Sequence, residues 1–346
     1  MRTLNGAPTT LFLDITSKCQ CRCRHCYNNS GEAACDELST QEIDGILNDF
    51  AQIGGLELRL SGGEPTLHPD FQHFVEVADR LSLRTILVSN GMIDDPLLDY
   101  LCNSAISAFY LSLQGDENIH DSIRGDGSYA LCTRTAKKLA DAGKRVRLSM
   151  VFHRENYRFV NHVVEEAAKI GADAAFNPLR PFGNASAEMM LTAQEHFEMV
   201  REIVQLRNTY PGMRINTPWD FLLFPPSPIS EQTPAEFKRI GCGNIGIAIT
   251  STGDCFTCGQ LSKMPEFCTG NVRKEDIKTI WSRAQQSCPL ATAAIADKCN
   301  ACGYLYGSPC FGGCAATAYK VSGSMQAVDP YCFVDYIYSQ PKGVVI

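Results

Sequence analysis

Residues 11–27 read LFLDITSKCQCRCRHCY: an apolar, β-prone run, Leu11–Ile15, leads into a loop with Cys19, Cys23 and Cys26 spaced C-x3-C-x2-C. Three thiolates in so short a loop suit three irons of a [4Fe–4S] cube, which leaves the fourth iron open to a small molecule. A structural zinc site asks for a fourth protein ligand. His25 offers one, so the spacing alone leaves both metals open.

Outward from this loop, β-prone runs alternate with helical patterns as far as about residue 180. Strands are predicted over Leu11–Ile15, Leu56–Leu60, Thr85–Val88, Phe109–Leu113, Val146–Val151 and Ala174–Phe176. Helices are predicted over roughly 40–53, 69–81, 95–103, 129–143 and 157–170, the first opened by the capping box Ser39-Thr40-Gln41-Glu42. Several strands end in turn-formers: Ser61-Gly62-Gly63, Ser89-Asn90-Gly91 and Gln114-Gly115. Such alternation predicts an α/β fold with a parallel sheet and right-handed crossovers. Six units make a partial (β/α)6 TIM-like barrel, with its chemistry at the C-terminal ends of the strands.

A further helix is expected over 192–209, and then a Pro-rich stretch with Pro218, Pro225, Pro226, Pro228 and Pro234. From Gly241 onward the chain is Gly- and Cys-rich and poor in regular pattern. The expected domains are therefore a barrel over 1–216, a linker or lid over 217–240, and a loop-rich module over 241–346.

The chain has 346 residues, 45% hydrophobic and 20% charged, which excludes a disordered or fibrous protein. A net charge of −7 argues against non-specific nucleic-acid binding, which relies on basic surface. No apolar run reaches membrane-spanning length, and MRTLNGAPTT lacks a signal-peptide core, so a cytoplasmic protein with no membrane partner is expected. Against that background the 17 cysteines stand out: four fall in residues 19–26, ten in 242–332, and none in 133–241. In a reducing compartment, metal ligation or redox chemistry is the expected use of such cysteines.

Three motifs in order, the C-x3-C-x2-C loop, Gly62-Gly63-Glu64-Pro65 after the second strand and Ser89-Asn90-Gly91 after the third, make the chain resemble the radical S-adenosylmethionine (SAM) superfamily. The resemblance implies a [4Fe–4S] cluster on Cys19, Cys23 and Cys26 that chelates SAM through its open iron. Reductive cleavage of SAM then gives methionine and a 5′-deoxyadenosyl radical, which abstracts hydrogen from a substrate carbon. It further implies that Gly62, Gly63 and Glu64 meet the SAM ammonium, that Ser89 and Asn90 meet the ribose, and that Ser112 and Arg124 meet the carboxylate. Leu179 after the sixth strand would contact adenine, and Cys21, outside the family pattern, is left as a packed thiol.

The C-terminal cysteines resemble those of the SPASM domain that follows many such barrels. Cys242 leads to Gly253 and Cys258, then Cys299, Cys302, Cys310, Cys314 and Cys332, with Thr269-Gly270-Asn271-Val272, Ile280-Trp281 and Phe311-Gly312-Gly313-Cys314 at the usual places. One or two auxiliary iron–sulfur clusters are thereby implied. Cys299, Cys302, Cys310 and Cys332 would hold one; Cys242, Cys258 and Cys314, completed by Cys255 or Cys268 or left with an open iron, would hold the other. Four-cysteine zinc is the alternative. The seven-residue gap between Cys302 and Cys310 is two longer than the pattern, and no cysteine follows Cys242 closely.

Among SPASM proteins the common substrate is a peptide, and Leu111-Ser112-Leu113-Gln114-Gly115 followed by Ile123-Arg124-Gly125 looks most like the peptide-modifying branch, though Gln114 replaces a common Asp. The expected function is therefore that of a ribosomal peptide maturase. Its partners would be an electron donor such as a flavodoxin or ferredoxin and, because only 18 residues precede Cys19, a separate leader-recognition protein. The alternative is an epimerase or dehydrogenase of a sugar, aminoglycoside or other small metabolite. A non-catalytic metal-stabilised module would explain the cysteines but not the Gly62–Pro65 and Ser89–Gly91 turns.

Overall fold

The computed structural model describes residues 6–224, 245–287, 296–300, 302–304, 310 and 312–340. Six strands, β1 (Thr10–Asp14), β2 (Glu57–Ser61), β3 (Arg84–Ser89), β4 (Ala108–Ser112), β5 (Val146–Phe152) and β6 (Asp173–Pro178), pair in chain order, each parallel to the next. Between them run α1 (Thr40–Gln52), α2 (Phe71–Arg80), α3 (Asp95–Asn103), α4 (Glu117–Arg124), α5 (Ser128–Asp141) and α6 (Val160–Lys169). This is the expected partial barrel. Its strands alternate as a two-sided sheet requires. In β5, Val146, Leu148, Met150 and Phe152 are buried, while Arg147, Ser149 and Val151 are only partly covered. The helices bury one stripe each; α2 contributes Phe71, Phe74, Val75, Val77 and Ala78. The capping box opening α1 is made in both directions by Ser39 and Glu42.

Helix α4 has no counterpart in the sequence reading. Its residues, ENIHDSIR, bury only His120 and Ile123, too few apolar positions to register a period, and Asp116 caps it by accepting from Ile119 N–H. The 217–240 segment also differs at its start. Trp219, Leu222 and Leu223 are buried in the main core after α7 (Ala193–Thr209) and β7 (Ile215–Asn216), so this part is packed rather than a lid. The prolines from Pro225 onward lie outside the described residues.

The C-terminal region contributes to the same sheet. Strand β8 (Gly246–Ile249) pairs parallel with the free edge of β1, and β9 (Asp254–Phe256) and β10 (Gly270–Asn271) extend it antiparallel. Helix α8 (Ile277–Ser287) seats Trp281, whose Nε1 donates to Gly6 O (2.8 Å), on the chain start. Among the described residues three short helices follow: α9 (Asp297–Asn300), α10 (Ala315–Ser322) and α11 (Val334–Ser339). The Arg273 guanidinium donates to Glu42 and to the carbonyls of Asp36 and Glu37, which ties this region to the start of α1. Among the described residues no helix is long and apolar enough to cross a membrane.

Candidate functional site

The cysteine loop leaves the C-terminal end of β1 and is held from three sides. The Gly62–Pro65 turn presses against its stem: Gly63 N–H donates to Thr16 O (2.7 Å) and Glu64 N–H to Lys18 O (2.8 Å). A Cβ on Gly62, whose φ is +138°, would sit 2.2 Å from Thr16 O, and one on Gly63 2.3 Å from Lys18 O, so the approach excludes any side chain there. On the second side Glu37 accepts from Ser17 N–H (2.6 Å), Ser17 Oγ (2.7 Å) and Thr16 Oγ (2.9 Å). Burial pushes the Glu37 carboxyl up, but these hydrogen bonds outweigh it and hold the group below its ordinary range. On the third side Asn184, in the loop after β6, donates through N–H to Cys26 O (2.9 Å) and through Nδ2 to Cys23 O (3.3 Å). Sequence reading missed Glu37 and Asn184. Neither lies in a motif, and only the fold brings them to the loop.

A solvent-open cleft of about 1090 Å³ lies over this loop. Its wall includes Cys19, Cys23, Cys26, Gly62, Gly63, Ser89, Asn90, Ser112 and Arg124, so nearly all of the expected barrel-site residues come together. Two do not. Leu179 is fully buried among core side chains, and the adjoining Pro178 and Arg180 line the cleft in its place. Glu64 is also fully buried beneath the cleft. Its Oε1 accepts from Ser89 Oγ (2.9 Å) and Thr66 Oγ (2.7 Å), and its Oε2 from Asn90 N–H (2.7 Å). These bonds make Glu64 a clamp between the turn after β2 and the turn after β3, with one acceptor position left on Oε2. Burial raises its carboxyl pKa, and the same hydrogen bonds oppose that rise.

The electrostatics of the loop favour thiolates at Cys19 and Cys23. Cys21, nearly fully buried, lies 3.6 Å from Asn90 Nδ2. Its hydrogen bonds to Cys19 and Cys23, together with burial, raise its pKa, which keeps it a thiol. Cys23 is lowered to about 6, first by the hydrogen bond from Cys21 and then by the Arg124 charge, against the cost of burial. Cys19 is lowered as well, chiefly by Cys21. Arg124 Nε is buried without a hydrogen-bond partner. A buried charged donor of this kind calls for an anionic acceptor, and the cleft it lines has room for a carboxylate. The residues present therefore fit a thiolate-bound cluster with an amino-acid ligand beside it. Among the described residues no three His, Cys, Asp or Glu side chains converge as a mononuclear ion requires; a cubane holds its thiolates farther apart. Arg124→Gln should weaken SAM binding by roughly tenfold or more, as the loss of a charged hydrogen bond predicts. Equilibrium dialysis measures this, and wild-type affinity would return Arg124 to a structural role.

The C-terminal cysteines fall into two places. Cys299, Cys302, Cys310 and Cys332 all line one cavity of about 810 Å³, which is the set expected for one auxiliary cluster. Burial raises the Cys332 thiol to about 12. Cys258 and Cys314 both pack against a smaller apolar group that includes Phe182, Phe256 and Leu261. Asp329, on the wall of the four-cysteine cavity, accepts from Cys314 N–H (2.6 Å) and so links the two places. Cys255 does not join Cys258 and Cys314. Its side chain is fully buried in the main core, with Sγ toward Gly253 O, while its neighbour Phe256 packs in the smaller group. The β9 alternation separates the two faces. Cys268 is exposed, with its Sγ toward Gly270 O. Cys242 lies outside the described residues.

The family model described as the radical SAM superfamily matches residues 13–167. Mycofactocin maturase MftC of Mycobacterium tuberculosis is 28% identical over 334 residues, covering 94% of this chain and 83% of that protein. PqqA peptide cyclase of Rhizobium meliloti is 26% identical over 334 residues, covering 94% and 87%. In fold, the chain is similar to Streptococcus suis SuiB bound to its precursor peptide SuiA, with a TM-score of 0.77 at 19% identity, covering 94% of this chain and 75% of that one.

Proposed function

We propose that this chain, whose residues 13–167 match the radical SAM superfamily and whose C-terminal cysteines follow the SPASM pattern, is a peptide maturase that cleaves SAM reductively and abstracts hydrogen from a peptide carbon. The observation that carries the reading is the single cleft in which Cys19, Cys23 and Cys26 face the Gly62–Gly63 turn and the unpartnered Arg124 Nε. When bound, the cluster supplies the electron that splits SAM into methionine and the 5′-deoxyadenosyl radical. Cys19, Cys23 and Cys26 are its ligands. Gly62 and Gly63 bring backbone polar groups to the SAM ammonium, Arg124 and Ser112 orient the carboxylate, and Ser89 and Asn90 meet the ribose. Cys299, Cys302, Cys310 and Cys332 hold one auxiliary cluster; Cys242, Cys258 and Cys314 contribute to the other. The barrel core extends through Leu223, and the module that follows is strand-paired to the barrel.

Two relatives that this chain matches over 94% of its length are named as a maturase and a peptide cyclase, which favours a peptide over a small metabolite. A flavodoxin- or ferredoxin-type donor in the cytoplasm and a separate leader-recognition protein complete the proposal. The test is anaerobic reconstitution with iron and sulfide, then incubation with SAM, a reductant and the short peptides encoded by neighbouring genes. Formation of 5′-deoxyadenosine, a mass loss in one peptide and roughly eight to twelve irons per chain are expected. SAM cleavage with every peptide unaltered, but with a sugar or other metabolite oxidised, would overturn the substrate class. Full-occupancy zinc would overturn the clusters.

A further inference from the structure

A second cavity, of about 1580 Å³, adjoins the SAM cleft. The two share Tyr27, Ser61, Val88, Asn177 and Gln260 as a common wall, so a molecule in one faces a molecule in the other. The turn after β9 also lines it, with Cys258, Gln260 and Ser262 all reaching the cavity. Gln260 Oε1 and Ser262 Oγ are buried without a hydrogen-bond partner. Across from them Asp14, at the end of β1, also lines the cavity; its Oδ2 accepts from Asn28 Nδ2 (3.1 Å). The cavity therefore presents a carboxylate, an amide oxygen and a hydroxyl, two of which have nothing to bind. Buried polar atoms left unmade are costly, so the wall is built for an occupant that donates to Gln260 Oε1 and exchanges a hydrogen bond with Ser262 Oγ.

A cation is not the occupant this wall selects. The Lys263 charge acts on Asp14 and opposes the rise of its pKa, while Arg59, which lines the same cavity, is paired with Glu57. The Arg59 guanidinium lies 4.9 Å from the ring centroid of Phe12, a large apolar side chain left 38% exposed. Balanced charge, neutral acceptors and an aromatic face suit the backbone N–H groups of an extended peptide with an apolar side chain between them. Burial raises the Asp14 carboxyl to about 6. A neutral donor relieves an ionised group in that setting.

We propose that Gln260, Ser262 and Asp14 form the grip that takes the substrate's backbone N–H groups, and that this grip positions the peptide carbon against the SAM cleft. The inference rests on the peptide reading above and adds to it the residues that select the substrate. It also makes the turn after β9, in the C-terminal module, a specificity element of the barrel site.

The test uses the reconstituted full chain and short random-sequence peptides, N-acetylated and C-amidated, from which one modified peptide is chosen. That peptide is then remade with a single N-methyl amide at each position in turn. In the wild-type protein, N-methylation at the gripped positions should raise KM for the peptide by about tenfold, the loss of one good hydrogen bond. In Gln260→Leu combined with Ser262→Ala, KM for the unmethylated peptide should rise by a similar factor, more than KM for SAM does. N-methylation should then cost little further, the non-additivity expected of partners in contact. Gln260→Glu, which keeps an acceptor, should retain the N-methyl sensitivity, and each single substitution gives the same test if the double variant does not fold. Unaltered N-methyl sensitivity in the variants would overturn the grip while leaving the peptide reading intact. Vigorous SAM cleavage with no peptide modified would overturn the peptide reading, and the grip with it.

Discussion

Replacing Cys19, Cys23 and Cys26 together by Ala should abolish 5′-deoxyadenosine formation and lower iron by about four per chain, while the remaining iron stays bound. The effect is total because these three thiols all lie on the wall of the cleft that also holds Arg124 and the Gly62–Gly63 turn. Cys21, the one other thiol in the loop, is nearly fully buried against Asn90 Nδ2, so it is a poor substitute ligand. The remaining iron survives because Cys299, Cys302, Cys310 and Cys332 line a cavity that shares no wall residue with the SAM cleft. Product assay by liquid chromatography and iron analysis on the same sample check both parts. Residual 5′-deoxyadenosine at wild-type level would remove the loop from the chemistry.

The second large effect is on stability. Glu64→Ala removes a buried carboxylate that accepts from Ser89 Oγ, Thr66 Oγ and Asn90 N–H. With the Thr66 N–H (3.3 Å), four donors lose their acceptor at once, and at about 1–3 kcal/mol for each buried group left unmade the loss is on the order of 4–5 kcal/mol after partial rehydration. A large share of the marginal stability of the fold is then lost. SAM binding should fall as well, because the Ser89–Asn90 turn on the cleft wall loses its tie to the Gly62–Pro65 turn. Glu64→Gln should be intermediate, since its amide nitrogen would face a backbone donor at Asn90. Denaturant unfolding of the apoprotein separates the two effects: an unfolding midpoint equal to wild type, with SAM affinity alone reduced, would restore Glu64 as a direct ligand.

Glu64 also marks the limit of what the sequence could disclose. The Gly62–Pro65 motif located the turn, and its two glycines foretold a close backbone approach, which Thr16 O and Lys18 O make. Which way the carboxylate points depends on the neighbouring strand end, and no local pattern encodes that. Strand order, the five crossovers of β1–β6 and the grouping of Cys299, Cys302, Cys310 and Cys332 were legible because period and spacing are local signals. Leu179 was misplaced because a residue at a strand end can face the cleft or the helices, and only packing decides. Glu37 and Asn184 were invisible because their partners are backbone groups of the cysteine loop, brought near by the fold. The packing of Trp219 and Leu222 was masked by the prolines that follow them.

The pairing of β8 with β1 has a consequence for the order of events during synthesis. β1 leaves the ribosome first, and β2 soon covers one of its edges. Its other edge waits for Gly246–Ile249, made only after every other barrel strand. Through that interval the nascent chain exposes an unpaired strand edge whose residues lead directly into the cysteine loop, a template open to pairing with any extended segment. Long-range closure of this kind is slow, since loop entropy is lost before the contact forms. The late strand therefore acts as a completion check: only a chain translated through its C-terminal half seals the strand from which the metal-binding loop is hung.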